Sequence, residues 1–451
     1  MNVHTSRKTS STEFVRHIRI MHYIRLMRPP SLDKEQKLKL VLTITTDLGD
    51  SFLCPDEPVP ISVYLTRNPL ENSDETPAIC LTPRKAGKSG TSWKSGMRVL
   101  KLDLPVPDKI FKRSKKTLPP KGKMPSICIV ASDDIVDLPT AADIPFDSKG
   151  RIVTLESEFP WRSEDTQQTF ESLRRFALTE GDFLRIDERI GESIDRHVWD
   201  AGVVTMGLLL NMCQDGTSKH KWDRTPLLRE LLRSVTPTHP LNVIELGCGV
   251  GILGVGLAAA LHQRVSSSWD SEDSAQVPSR VLLTDLPDAE EVAVRNIADE
   301  KLARKPVLSG KPSVDTDFES LDWDEGKTGV FGPKATASSW DLIIISDCTY
   351  NVDMLSALVK TISELHKLSV DKDGKSSRVM LATKPRHSSE KALFGLMDED
   401  GWKILESASQ PLPVLGMEDE VVEIYLFGKD SGQPLDEGQS TTSAPKRRKL
   451  R

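Results

Sequence analysis

The sequence predicts an α/β fold, with a parallel sheet flanked by helices on both faces and a separate β-rich region ahead of it. Three observations predict it. From residue 243 onward, apolar strand-like runs alternate with helical ones, the pattern of a parallel sheet crossed by helices. Residues 243–261 (VIELGCGVGILGVGLAAAL) read as a buried strand, a tight glycine turn and an unbroken Ala-rich helix. The last two strands, Trp402–Glu406 and Val421–Phe427, are joined by a loop with no helix, which implies an antiparallel hairpin at the sheet edge.

At 451 residues the chain has room for two domains and a sizeable core. A formal net charge of −6 gives no global basic field and so argues against a general affinity for nucleic acid. The six cysteines (Cys54, Cys80, Cys128, Cys213, Cys248 and Cys348) are scattered with no C-x-x-C pair, so neither a metal site nor a disulfide framework is expected, and a reducing compartment fits. The longest apolar run, Val250–Leu261, is too short to span a bilayer, so no membrane partner is expected.

Residues 1–30 are basic and acid-poor, but Val15–Met27 alternates apolar and polar residues and reads as a first strand rather than a cleaved leader. Leu38–Thr46, Val59–Thr66, Met97–Leu104, Ser126–Ala131 and Arg151–Glu156 are further short β-branched runs, together a small sandwich or an extra sheet. Between them lies a basic stretch (Arg84, Lys85, Lys88, Lys94, Arg98, Lys101, then Lys109 to Lys123) that reads as solvated loops or as a docking face for an acidic partner or RNA. Asp165–Glu180 carries a helical pattern closed by Gly181. Within 183–212, Val203, Met206, Gly207 and Leu210 keep helical spacing, and Trp199-Asp200 stand at that helix's start. A tryptophan there either packs or borders a ligand. Trp222–Val235 is another amphipathic helix.

The glycine turn admits two ligands. Gly249, Gly251 and Gly254 spell the dinucleotide fingerprint G-x-G-x-x-G, while Glu245, Gly247 and Gly249 spell E-x-G-x-G, the turn that binds S-adenosylmethionine. The glycines let backbone pass close under a ligand, and the helix behind them offers unpaired N–H groups to a carboxylate. An acidic residue at the strand end suits the ammonium of an amino-acid tail better than it suits a pyrophosphate. After a Ser/Asp/Glu-rich insertion, Arg280–Thr284 is the next strand, and Asp285 at its end stands where a ribose-binding carboxylate belongs, although it lies farther on than the usual ~20 residues. It could equally cap the helix that follows. Residues 314–332 are mostly polar, with Trp323 in a loop where it could lie against an adenine. Trp340–Ser346 is a continuous apolar central strand ending in Asp347-Cys348-Thr349-Tyr350. Met354–Leu368 is a helix, Ser377–Thr383 a strand and His387–Glu399 a helix. Residues after 430 are polar, as in a disordered tail, and end in the basic cluster Pro445–Arg451, which reads as a nuclear import signal.

VWDAG (198–202), ELGCGVG (245–251), TDLP (284–287), LDW (321–323) and SDCTY (346–350) occur in this order. The set resembles the eukaryotic seven-β-strand protein-lysine methyltransferases, methyltransferase family 16 (the methyltransferase-like 21 and 22 proteins), over about residues 180–428. The resemblance implies a class I S-adenosylmethionine-dependent methyltransferase fold, Rossmann-like and seven-stranded. It implies a catalytic domain over 161–428, between a β-rich accessory region over 1–160 and a basic tail over 429–451. It implies that Trp199 borders the cofactor pocket, that Glu245, Gly247, Cys248 and Gly249 hold the methionine part, and that Asp285 binds the ribose. Trp323 would flank the adenine and Ser346 would contact the cofactor through its backbone. Asp347 and Tyr350 would form the catalytic D-x-x-Y element at the entrance for a lysine of a protein substrate. Cys248 and Ser346 stand where the family often has Ala or Gly, and both are small. Methylation of a nucleobase is the competing reading, but amino-base methyltransferases carry prolines after the fourth strand and SDCTY has none. A catalytically silent scaffold is the reading outside enzymes.

Overall fold

The computed structural model describes residues 21–66, 78–108, 110, 125–135, 140–146, 152–160, 171–179, 182–189, 196–214, 220–236, 238–267, 277–304, 314–412 and 420–429. The seven-stranded sheet consists of β1 (Asn242–Leu246), β2 (Ser279–Asp285), β3 (Val314–Ser320), β4 (Leu342–Ser346), β5 (Arg378–Thr383), β6 (Lys403–Leu412) and β7 (Glu420–Gly428). Its order is β3-β2-β1-β4-β5-β7-β6, and β7 alone runs antiparallel to its neighbours. The edge hairpin is therefore as expected, and the order is that of the class I methyltransferase fold.

The central strands are mostly apolar because helices cover both faces. Alternate residues serve opposite layers. Val243, Leu342 and Ile344 join one core with helices α1 (Asp200–Cys213) and α3 (Ile252–Ser267). Ile244, Leu246, Ile343 and Ile345 join the other with α6 (Leu355–Asp373) and α7 (Ala392–Glu399). Helices α2 (Pro226–Arg233), α4 (Pro287–Ala303) and the single turn α5 (Trp323–Gly326) complete the α-helices among the described residues.

The polar composition of 314–332 hides a strand. β3 is an edge strand, so only Val314, Thr316 and Phe318 face the core, and the residues between them point outward.

The N-terminal region is a two-sheet sandwich. One sheet runs Leu100–Pro105, Lys37–Thr45, His22–Leu26, Ile152–Val153, with Ser31–Leu32 also paired to Lys37–Thr45. The other runs Asp182–Arg189, Glu171–Thr179, Leu155–Glu158, Ser126–Val130, Ser62–Thr66, Ile79–Cys80. Leu38, Leu40 and Ile24 of the first meet Ile127, Ile129 and Leu155 of the second in one core. Of the expected first strand, residues 21–27 are described, and His22–Leu26 is a strand. Among the basic residues, Arg84 reaches Asp134 at 3.3 Å. Lys109 and 112–123 fall outside the described residues, as does the C-terminal tail.

The helix expected over 165–180 is corrected. Glu171–Thr179 is a strand, paired antiparallel with Asp182–Arg189. Its inward residues are Ser172, Arg174, Phe176 and Leu178. Arg174 is buried because Glu188 on the partner strand accepts from its Nε at 2.6 Å and the Ile24 carbonyl from its Nη1 at 2.7 Å. The sandwich therefore continues past residue 160 to Arg189. Glu188 Oε2 also accepts from the Val198 N–H at 3.1 Å, just ahead of α1.

Candidate active site

The C-terminal edge of the sheet gathers most of the residues singled out in the sequence. Glu245, one residue before the end of β1, is 1% exposed. Its Oε2 accepts from the Gly254 N–H at 2.9 Å. Burial pushes its carboxyl up to about 8, with Asp285 adding to the rise and the Gly254 amide opposing it. Gly247, Gly249 and Gly251 have φ of 68°, 53° and 79°, so the chain can turn over the strand end only in the left-handed region that glycine tolerates. The turn is pinned by Cys248 N–H to the Thr284 carbonyl at 3.0 Å and by Gly249 N–H to Asp285 Oδ2 at 2.7 Å. Asp285 Oδ1 accepts from the Leu286 N–H at 2.7 Å, so this carboxylate ties the turn to the residue that precedes α4.

Gly247 lies under Trp323 and Cys348: a Cβ there would stand 3.2 Å from the indole and 3.1 Å from the Cys348 Cβ. On the other side, Trp199 precedes α1, and Gly202 of α1 meets Ile252 and comes near Ser346, with its Cβ position 3.9 Å from Ser346 Oγ. Ser346 Oγ is buried with no hydrogen-bond partner among the described residues.

Asp347 follows β4 with φ +50°, a conformation that aspartate adopts more readily than most residues. Its Oδ1 accepts from the Lys384 N–H at 2.9 Å and its Oδ2 from the Ala201 N–H at 3.1 Å. It thus caps α1, an element 146 residues away, rather than the helix that follows it. Burial raises its carboxyl, opposed by Arg386 and the two amides. Tyr350 is 58% exposed at the surface beyond β4.

Sequence reasoning missed a set of charged residues beside this edge. Lys384 and Arg386 follow β5, and the general rule that sites form at the carboxyl ends of parallel strands could have flagged them. Asp200 was read only as a helix-start acid, but it bonds the Tyr23 hydroxyl at 2.7 Å and Lys384 Nζ at 2.8 Å. Burial beside Asp47 raises its carboxyl, against the pull of Lys384. Asn296 ties the turn to the sandwich: its Nδ2 donates to the Val250 carbonyl at 2.8 Å and its Oδ1 accepts from the Asp187 N–H at 2.7 Å.

The arrangement suits an amino-acid-tailed nucleoside. A buried carboxylate with one backbone donor faces an ammonium, open backbone curves under the tail, a carboxylate ends β2 where a ribose would lie, and an indole stands over the turn. The orphaned Ser346 hydroxyl is a polar atom waiting for a partner.

The family model described as lysine methyltransferase matches residues 178–400. A UPF0665 family protein of Schizosaccharomyces pombe is 27% identical over 207 residues, 46% of this chain. The match spans 47% of that relative's length, so this chain covers about half of it. Among solved structures, a SAM-dependent methyltransferase from Methanosarcina mazei is similar at 14% identity and TM-score 0.28, covering 46% of this chain and 99% of that one. M. jannaschii TYW2 in complex with AdoMet is similar at 10% identity and TM-score 0.30, covering 58% of this chain and 88% of that one. The strand order and the glycine turn agree with the family match over residues 178–400, that of S-adenosylmethionine-dependent methyltransferases.

Proposed function

Residues 178–400 belong to the lysine methyltransferase family, and from that premise we propose that the protein methylates lysine side chains of other proteins. The observation that carries this reading is Asp347, a buried carboxylate fixed by two backbone amides at the end of β4, one residue before the Cys348 that lines the glycine turn. S-adenosylmethionine supplies an electrophilic methyl on a sulfonium, and transfer is an in-line displacement. The chain's part is placement, bringing the acceptor nitrogen to about 3–3.5 Å.

In this reading Glu245 receives the cofactor's ammonium, Gly247, Cys248 and Gly249 line its amino-acid tail, and Asp285 takes the ribose hydroxyls. Trp323 flanks the adenine, while Trp199 and Ser346 border the pocket. Free lysine titrates near 10.4, so its ammonium must lose a proton on or before binding. Asp347 orients the nitrogen and accepts its hydrogen bond. Tyr350 aligns the lysine stem from the surface.

Incubation of the full-length protein with tritium-labelled S-adenosylmethionine and host lysate tests this, with Asp347→Ala as control. A labelled protein band that maps to lysine and vanishes with the variant is the expected result. Label in nucleic acid, or full activity in the variant, refutes it. We also propose nuclear residence on the strength of Pro445–Arg451; a fusion lacking those residues that still accumulates in nuclei removes the argument.

A further inference from the structure

One carboxylate at the active-site edge comes from outside the catalytic domain. Asp47 lies two residues past the sandwich strand Lys37–Thr45 and is 3% exposed. Its own domain holds it in place: Arg25 Nη2 donates to its carbonyl at 2.6 Å, and the Leu48 N–H donates to its Oδ1 at 2.9 Å. From there the side chain reaches across to the catalytic domain. Its Oδ2 lies 2.7 Å from Arg386 Nη2 and 3.5 Å from the Asp200 N–H, and its Oδ1 lies 3.5 Å from Lys384 Nζ.

Arg386 is the pivot. Its Nη2 also faces Asp347 Oδ2, but at 3.5 Å. Its guanidinium stands over the Trp199 ring, 5.2 Å from the centroid. Its Nη1 is buried without a hydrogen-bond partner among the described residues. Asp47 and Asp347 are the carboxylates that the guanidinium reaches among those residues. The 0.8 Å difference between the two contacts decides which of them has it: Asp47 makes the charge-assisted hydrogen bond and Asp347 does not. Lys384 cannot substitute, because Asp200 at 2.8 Å and Glu420 at 2.5 Å already hold its ammonium. With Asp47 gone, a guanidinium with a spare buried donor would close on Asp347, the remaining partner in reach.

We propose that Asp47, delivered by the N-terminal sandwich, is a positioning residue of the methyl-transfer site that keeps Arg386 off Asp347 so that this carboxylate stays available to the acceptor amine. The inference rests on the role given to Asp347 above. It makes the sandwich part of the active site rather than an appended module, and it gives Asp47 a task that its position outside residues 178–400 does not suggest.

The test needs no acceptor protein. Two probes are titrated into the full-length protein by calorimetry: S-adenosylhomocysteine, and an analogue of it bearing a primary amine where the transferable methyl would stand. The ratio of their dissociation constants reports how well Asp347 receives an amine. The wild type should prefer the amine analogue by about tenfold or more, the size of one charge-assisted hydrogen bond. Asp47→Asn should erase about tenfold of that preference and leave the affinity for S-adenosylhomocysteine within about threefold. Asp47→Asn/Arg386→Gln should restore the preference, because the arginine that closes on Asp347 is gone.

A folded Asp47→Asn protein with an unchanged ratio overturns the proposal, as does a loss of both affinities together that the double variant fails to repair. If Asp47→Asn does not fold, Arg386→Lys carries the test. A point charge on a shorter reach should let the preference change, and an unchanged ratio there overturns the proposal. A wild type with no preference for the amine overturns the reading of Asp347 and this inference with it. A wild-type preference that Asp47→Asn leaves intact overturns the role of Asp47 alone.

Discussion

The pH dependence of cofactor binding follows from one buried carboxyl. Burial pushes Glu245 up to about 8, so at pH 7 about one protein molecule in ten carries it ionised. An ammonium ligand requires the ionised form. Binding at pH 7 must therefore release close to one proton, and the unliganded proton costs about 1.4 kcal/mol of affinity. Affinity should rise with pH and level off above about 8. Between about pH 6 and pH 7.5, the dissociation constant of S-adenosylhomocysteine, which has the same amino-acid tail, should fall about 25-fold. Calorimetry in two buffers of different ionisation heat measures both the constant and the proton released. Glu245→Gln should bind more weakly at pH 7.5 and show no pH dependence over that window. The same shift acts on stability with a definite sign. The unfolded chain gives up this proton near the ordinary carboxyl value and the unliganded fold keeps it to about 8, so Glu245 makes the unliganded fold lose stability as pH rises between those two values. A flat dissociation constant from pH 6 to 7.5 with no proton release would refute the assignment of Glu245 to the ammonium.

Three further variants probe the glycine turn and the sandwich. A Cβ at Gly254 would collide with Glu245 Oε2 and stand 2.9 Å from Leu283, so Gly254→Ala should cost about 1–3 kcal/mol in thermal unfolding and weaken S-adenosylhomocysteine binding by about tenfold or more. Asp285→Ala removes the acceptor for the Gly249 N–H, and calorimetry should show the dissociation constant raised by about tenfold to a hundredfold. Glu188→Gln breaks the buried pair with Arg174 and should cost about 3–5 kcal/mol in urea unfolding, whereas replacing both partners with apolar residues of similar size should cost far less. If Glu188→Gln proves neutral, this pair does not fasten the strand to the sandwich.

The catalytic half was legible because its physics leaves local marks. β1 and β4 are buried on both faces, so they read as unbroken apolar runs, and the turn between β1 and α3 needs positive φ, so it reads as glycines. β3 left a weaker mark, since an edge strand alternates: Asp315 and Asp317 fall on its outward side, and Thr316 dilutes the inward one. Glu171–Thr179 was misread for a related reason. Two of its four inward positions are Ser172 and Arg174, which erase the period of two, and the remaining apolar residues fall at spacings that fit a helix. The inward arginine is comprehensible only with Glu188 in view, on a strand that pairs with it after folding.

Asp47 marks where such reading must stop. Glu245, Asp285 and Asp347 are each announced by their own strand, because a parallel strand ending at a site places its next residue there. Asp47 also follows a strand, but one of a sheet that carries no glycine turn and no motif, and its partners lie 153, 337 and 339 residues along the chain. Nothing local distinguishes it from an ordinary turn aspartate. What makes it consequential is the bill of charges it joins: Asp47, Asp200 and Asp347 with Lys384 and Arg386, drawn from both domains and largely out of water. Withdrawing any one member from a buried set leaves the others imperfectly paired, so its effect reaches groups it does not touch. A substitution in the sandwich should therefore act at the methyl-transfer site without contacting the cofactor, and the double variant with Arg386 separates that coupling from a loss of fold.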